Sequence, residues 1–100
     1  MNVSIGYTDQ ARDQLKNLKN DPAKKAIHKA VSKVIKFMKA DLRNPSLKTH
    51  KYDGYENPFD ATKPVFEAYA QNNTPGAYRI FWVYGPNQGE ITIIAITPHP

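Results

Sequence analysis

The feature that most constrains the fold is a pair of β-prone segments near the end of the chain. Residues 78–84 read Tyr-Arg-Ile-Phe-Trp-Val-Tyr and residues 91–97 read Ile-Thr-Ile-Ile-Ala-Ile-Thr, with Gly-Pro-Asn-Gln-Gly between them. β-branched and aromatic residues favour strands, and a short glycine-containing connection favours a hairpin. Because both faces of this hairpin are apolar, we expect it at the centre of a sheet that helices cover on one side.

Two helices are predicted in the first half of the chain. Thr8 is an N-cap candidate for a helix over about residues 8–19, and Asp21 and Pro22 are typical of the start of the next. The second helix, about residues 22–41, carries apolar residues at spacings of three and four. Nearly opposite that apolar stripe lies a row of lysines, here called the lysine ridge: Lys25, Lys29, Lys33 and Lys36.

Two further strands and a long loop complete the predicted architecture. Residues 2–7 alternate in the manner of a paired, half-buried strand, and residues 65–70 are a plausible strand. Residues 41–64 contain four turn signals and read as a long loop, which its aromatic residues hold against the protein. The expectation is a single α+β domain over residues 1–100, in the order β-α-α-β-β-β.

Charge is distributed unevenly along the chain, whose formal net charge is +5. Residues 1–51 hold twelve of the Lys and Arg residues against four Asp, whereas residues 52–100 hold two against five acidic residues. Such a division favours a polyanion such as RNA, or an acidic protein, as a partner. The lysine ridge is either a solvated helix face or a surface that follows RNA phosphates, and the sequence leaves both open.

Several classes of protein are disfavoured by what the sequence lacks. No apolar run is long enough to span a bilayer, the first seven residues are too polar for a secretory signal, and there is no cysteine. We therefore expect a cytoplasmic protein without a membrane partner. His28, His50 and His99 have no metal-ligand spacing and no Gly-rich phosphate loop is present, so neither a metal nor a cofactor is expected. His28 is interpreted as structural.

Candidate catalytic groups come from the less regular half of the chain. His99 follows the last strand between two prolines, where an imidazole can serve as acid or base, although a solvent-facing terminal histidine is the alternative. His50 lies between Lys48 and Lys51 and could face His99. Arg79 needs a partner inside an apolar strand, which could be Glu67 on the neighbouring strand or a bound phosphate.

These residues resemble a family, the small RelE/ParE-like toxins of bacterial toxin–antitoxin systems. The resemblance covers nearly the whole chain in element order and is carried by residues 44–51, 78–84 and 93–100. It implies a microbial-ribonuclease-like fold, a cognate and acidic antitoxin, and metal-independent cleavage of mRNA on the ribosome. A gyrase poison or a catalytically inert RNA-binding protein of the same fold are the alternatives.

The resemblance also implies roles for particular residues. Arg79 would stabilise the phosphate, His99 would transfer protons, and His50 and Lys51 would add further catalytic groups from the loop. Apart from the resemblance, the charge pattern makes Lys48 and the lysine ridge candidates for binding RNA. Glu67 and Tyr69 stand on the strand where a RelE-type enzyme has lysines, and Glu67 is expected to repel RNA unless Arg79 neutralises it.

Overall fold

The computed structural model describes residues 3–71 and 76–99. Five strands form one sheet in the order β1-β5-β4-β3-β2, with two helices packed on it. The elements in chain order are β1 (Ser4–Tyr7), α1 (Asp9–Asn20), α2 (Lys25–Ala40), β2 (His50–Tyr52), β3 (Val65–Tyr69), β4 (Tyr78–Tyr84) and β5 (Glu90–Pro98). The predicted α+β class and the order of its main elements are confirmed.

The predicted hairpin is the centre of the sheet. β4 and β5 pair antiparallel, β3 continues the antiparallel sheet on one side, and β1 runs parallel to β5 on the other. The segment predicted as a long loop contains one more strand, β2, which pairs antiparallel with β3. Three residues are too few to give a readable alternation, so this strand depends on the partner edge that β3 supplies.

The helices begin and end close to the predicted residues. Thr8 caps α1, since its Oγ1 accepts a hydrogen bond from the Ala11 amide at 3.1 Å and donates one to the Ile94 carbonyl at 3.2 Å. The second helix starts later than predicted, because residues 22–24 form a 3-10 turn in which the Asp21 carboxylate accepts from the Ala23 amide. No helix in the described ranges is both long and apolar enough to cross a bilayer.

The two faces of the sheet are covered differently. Helix side chains such as Leu18, Val31 and Met38 pack on one face with Ile80 and Trp82. On the other face a smaller cluster forms around Phe81, where Tyr52 and Tyr55 from β2 and the following loop replace a helix. Because no helix residue belongs to this second cluster, polar side chains can occupy this face near the first residues of β4. Three aromatic residues of β4 are buried in these clusters: Tyr78, Phe81 and Trp82.

Candidate active site

A buried carboxylate lies at the centre of the second sheet face. Glu67 is 1% exposed and stands on β3, directly opposite His50 of β2 in the antiparallel register. Arg79 is paired with Tyr69 on the adjacent strands β4 and β3, two positions along β3 and so on the same face as Glu67. His99 follows β5 and reaches Glu67 from the third strand. The sheet register therefore gathers one carboxylate and three basic side chains, here called the Glu67 cluster.

His50 uses both ring nitrogens. Its Nδ1 lies 2.9 Å from the Lys48 carbonyl and its Nε2 lies 2.6 Å from Glu67 Oε1. A carbonyl only accepts, so the first contact requires a proton on Nδ1. Both ring nitrogens of His50 are therefore engaged, one by a carbonyl and one by the Glu67 carboxylate.

His99 keeps one nitrogen free for chemistry. Its Nδ1 lies 2.7 Å from Glu67 Oε2, and its backbone amide donates to the Ala77 carbonyl at 2.8 Å. Among the described residues, His99 Nε2 has no hydrogen-bonding partner, and 47% of the side chain is exposed. A carboxylate that accepts from Nδ1 fixes the tautomer and makes Nε2 the nitrogen that can accept or release a proton.

Arg79 supplies a fixed positive charge beneath the histidines. Its Nε lies 3.7 Å from Glu67 Oε2, and both side chains are almost wholly buried. One terminal nitrogen donates to the Tyr78 carbonyl at 3.1 Å and to the Gln71 carbonyl at 3.4 Å. The guanidinium lies 3.8 Å from the centre of the Tyr69 ring, a cation–π contact. The sequence left Glu67 and a bound phosphate as candidate partners of Arg79, and the structure contains the ion pair with Glu67.

Aromatic rings form the floor beside the cluster. The Tyr52 ring lies 6.5 Å from that of His99 and 4.7 Å from that of Phe81. Burial, and then the neighbouring Tyr52, raises the pKa of Tyr55 above its usual value. A phenol with a raised pKa stays protonated near neutral pH, so Tyr55 is a poor candidate for a base.

The predicted site residues divide into two groups. His50, Arg79 and His99 meet at Glu67, as the preceding distances establish. Lys48 lies beside them, because its carbonyl bonds His50 and its Nζ lies 5.6 Å from the centre of the Tyr69 ring. Lys51 is exposed, and the alternation of β2 directs it away from the face that His50 uses. Its catalytic role stays a prediction.

The lysine ridge is exposed on α2, which covers the opposite face of the sheet from the Glu67 cluster. A cleft of about 280 Å³ between α2 and the end of β3 is lined by Lys33 of the ridge together with Lys48 and Tyr69. This cleft thus connects the lysine ridge with Lys48 and Tyr69 at the edge of the candidate site. Its role in binding RNA stays a prediction.

The sequence analysis missed the part that Glu67 plays. Glu67 was predicted only as a candidate partner of Arg79 and as a charge that repels RNA, whereas its side chain also contacts two histidines. The available signal was a single acid in a strand that is otherwise apolar, in a chain with two histidines near predicted strand ends. Across residues 3–71 and 76–99, no group of three or more His, Asp or Glu side chains is placed to hold a metal ion.

Comparison with known proteins gives matches only at the level of structure. No family model matches the sequence, and no curated protein is similar enough to match. The YoeB/ParE toxin of Agrobacterium tumefaciens superposes with a TM-score of 0.69 at 11% identity, covering 97% of this chain and 99% of that one. The YoeB dimer of Staphylococcus aureus gives 0.63 at 16% identity, with 100% of both chains covered.

An archaeal RelE, solved in complex with RelB from Pyrococcus horikoshii, gives a TM-score of 0.63 at 15% identity, covering 98% of this chain and 96% of that one. At such identities the likeness shows a shared fold. The resemblance predicted from the sequence is therefore confirmed as a RelE/ParE-like fold.

Proposed function

We propose that the protein is the toxin of a toxin–antitoxin system and cleaves mRNA on the ribosome by acid–base chemistry. The observation that carries the proposal is His99, whose exposed imidazole is held through Nδ1 by buried Glu67 while Nε2 is free among the described residues. A histidine oriented by a carboxylate is a general arrangement for proton transfer near neutral pH. The RelE/ParE-like fold supports the same conclusion.

The proposed reaction is an intramolecular transesterification at one phosphate of the RNA strand. His99 Nε2 takes the proton of the ribose 2′-hydroxyl, the 2′-oxygen forms a bond to phosphorus, and the bond to the 5′-oxygen breaks. The products are a 2′,3′-cyclic phosphate and a 5′-hydroxyl, whose oxygen leaves with a proton from a second donor. Exposed Lys48, whose carbonyl contacts His50, is the candidate for that donor.

The remaining members of the cluster stabilise charge. Glu67 stabilises the imidazolium that His99 becomes when it accepts a proton, through the 2.7 Å contact at Nδ1. The positive charge of Arg79 lies on the same sheet face and favours the negative charge that develops on the phosphate. His50 holds Glu67 Oε1 in place through its Nε2. Because Arg79 is buried, we assign it to this electrostatic role and not to direct contact with RNA.

A cognate antitoxin and a cytoplasmic location follow from the proposal. An archaeal protein of this fold is solved in complex with RelB. The net charge of +5 favours an acidic partner, and a toxin that cuts mRNA on ribosomes acts where translation occurs. An adjacent small reading frame encoding an acidic, helix-rich protein would identify the antitoxin.

The experiment compares purified wild type, His99→Ala and His28→Ala on ribosome-bound mRNA. We expect His99→Ala to lower the cleavage rate about 100-fold or more, because it removes the proton-transferring group. His28→Ala is the matched control, since His28 lies on α2 away from the cluster. Cleavage by His99→Ala at the wild-type rate would show that the site assignment is wrong.

A catalytically inert RNA-binding protein is the second candidate function. It is favoured by the burial of both Glu67 and Arg79, which are 1% exposed and already paired with each other. It predicts salt-dependent RNA binding, no cleavage on ribosomes and no growth inhibition on expression. DNA-cleavage complexes accumulating with gyrase would instead identify a gyrase poison.

A further inference from the structure

A second cleft lies at the same end of the sheet as the Glu67 cluster, on the side that faces α1. It has a volume of about 230 Å³ and is lined by α1 and the adjoining ends of β4 and β5. We call it the α1–β5 cleft and define it by six of its lining residues: Gln14, Asn17, Lys24, Tyr78, Ile96 and Pro98.

The α1–β5 cleft opens at the same strand ends as the proposed reaction centre, on the opposite face of the sheet. Pro98 lines the cleft, and the next residue, His99, bonds Glu67. Consecutive residues of an extended chain rise about 3.3 Å, so a molecule in the cleft lies within a few ångströms of the His99 backbone. The cleft and the His99 imidazole lie on opposite faces of the sheet at the same strand ends, so an RNA strand that reaches both turns around this end of the sheet.

The rim of the cleft presents side-chain amides. Gln14 Oε1 accepts a hydrogen bond from the Ile96 amide at 2.7 Å, which fixes the orientation of the Gln14 amide group. Its NH₂ group has no acceptor among the described residues. Asn17 follows three residues later, on the same side of α1, and is exposed. Side-chain amides carry both donors and acceptors, the combination that reads the edge of a nucleobase.

The floor of the cleft is apolar, and its lining contains one cation, Lys24, and one acid, Asp21. The Asp21 carboxylate already accepts a hydrogen bond from the Ala23 amide. Tyr78 and Ile96 are 8% and 2% exposed and provide the floor. Lys24 Nζ lies 3.5 Å from the Tyr78 hydroxyl and so stands beside the opening. A flat apolar floor, amides along the rim and one cation match a base together with its phosphate. A phosphate alone would use only the cation.

We propose that the α1–β5 cleft binds one unstacked base of the RNA next to the scissile phosphate, with Gln14 and Asn17 recognising its edge. This rests on the proposed function, since the cleft would select the sequence at which His99 cuts. Single-stranded RNA is usually recognised in this way, by bases turned out of the stack into a pocket. Lys24 binds the phosphate of that nucleotide.

The first experiment measures how the cleavage rate depends on the base at each position beside the cut. Gln14→Glu keeps an acceptor for the Ile96 amide and replaces the NH₂ donor by a charged carboxylate oxygen, while Asn17→Ala removes the second amide without adding charge. We expect the ratio of rates between the best and worst base to fall roughly tenfold in each variant. Gln88→Glu is the matched control, because it adds the same charge in the β4–β5 turn at the other end of the sheet.

The second experiment observes the side-chain NH₂ signals of Gln14 and Asn17 by NMR during titration with nucleoside 3′-monophosphates. Saturable shifts with nucleotides, absent with inorganic phosphate, would support the proposal. Equal shifts with inorganic phosphate, or no shifts, would overturn base recognition. Unchanged base preference in both variants of a cleaving enzyme would overturn it as well. If wild type cuts no RNA, the proposed function fails and the NMR titration alone decides whether the cleft binds a base.

Discussion

At the scale of single residues, the role expected for Glu67 from the sequence differs from the contacts that it makes in the structure. Within the sequence it is an acid placed where a nuclease of this type is expected to have cations. In the folded protein it is the acceptor that orients His99 and pairs with His50 and Arg79. His99 lies 32 residues from Glu67 along the chain, so no local pattern could have revealed the contact between their side chains. The expectation that Arg79 neutralises Glu67 is consistent with their ion pair.

The same burial predicts a large effect of Glu67 on stability. We expect Glu67→Gln to lower the free energy of unfolding by about 3 kcal/mol, because it leaves the buried Arg79 charge without its carboxylate. The histidine contacts should add little, since both rings are half-exposed. Urea unfolding followed by tryptophan fluorescence measures the change.

The control for this substitution is Glu56→Gln, which makes the same chemical change at an exposed loop position. It should leave the free energy of unfolding within about 0.5 kcal/mol of wild type. Equal stability of Glu67→Gln and Glu56→Gln would mean that the Glu67–Arg79 pair stabilises nothing.

At the scale of elements, Thr8 joins the first helix to the last strand. Its hydroxyl caps α1 through the Ala11 amide and also donates to the Ile94 carbonyl of β5. We expect Thr8→Ala to cost about 1–2 kcal/mol, because the helix loses its N-cap and a strand carbonyl loses a donor. The midpoint and slope of a urea transition give this value.

Thr8→Ser retains the hydroxyl and serves as the control. It should recover most of the loss, since serine is at least as good an N-cap as threonine. A serine variant as unstable as the alanine variant would assign the effect to the lost methyl group and not to the two hydrogen bonds.

The elements also separate what sequence could predict from what it could not. Both helices and the β4–β5 hairpin are long enough for their periodicity to be read directly. β2 was missed because its three residues form a strand only by pairing with β3. Residue type was enough to select three candidate site residues: His50, Arg79 and His99. Their contact with Glu67 depends on strand register, which the sequence does not reveal. The α1–β5 cleft depends on how α1 packs on β5, which no local pattern contains.

At the scale of the whole molecule, the lysine ridge and the Glu67 cluster lie on opposite sides of the sheet. The lysine ridge follows the outer side of α2, while the Glu67 cluster occupies the sheet face that no helix covers. The cleft lined by Lys33, Lys48 and Tyr69 connects them at the edge of the sheet. On the proposed function, the ridge would contribute affinity for RNA and the cluster would carry out the bond-breaking step.

This division predicts how RNA binding depends on salt when all four ridge lysines are replaced by glutamine. Each phosphate contact to single-stranded RNA contributes about 0.7 to the slope of log affinity against log salt, so the slope should fall by up to about 3. Single-turnover cleavage of RNA already bound should stay unchanged, since no ridge residue belongs to the cluster. The matched control replaces Lys16, Lys19, Arg43 and Lys63 by glutamine, which removes the same total charge from positions outside α2. An equal fall in slope for both variants would identify the ridge as an ordinary solvated helix face, because net charge alone would then account for the effect.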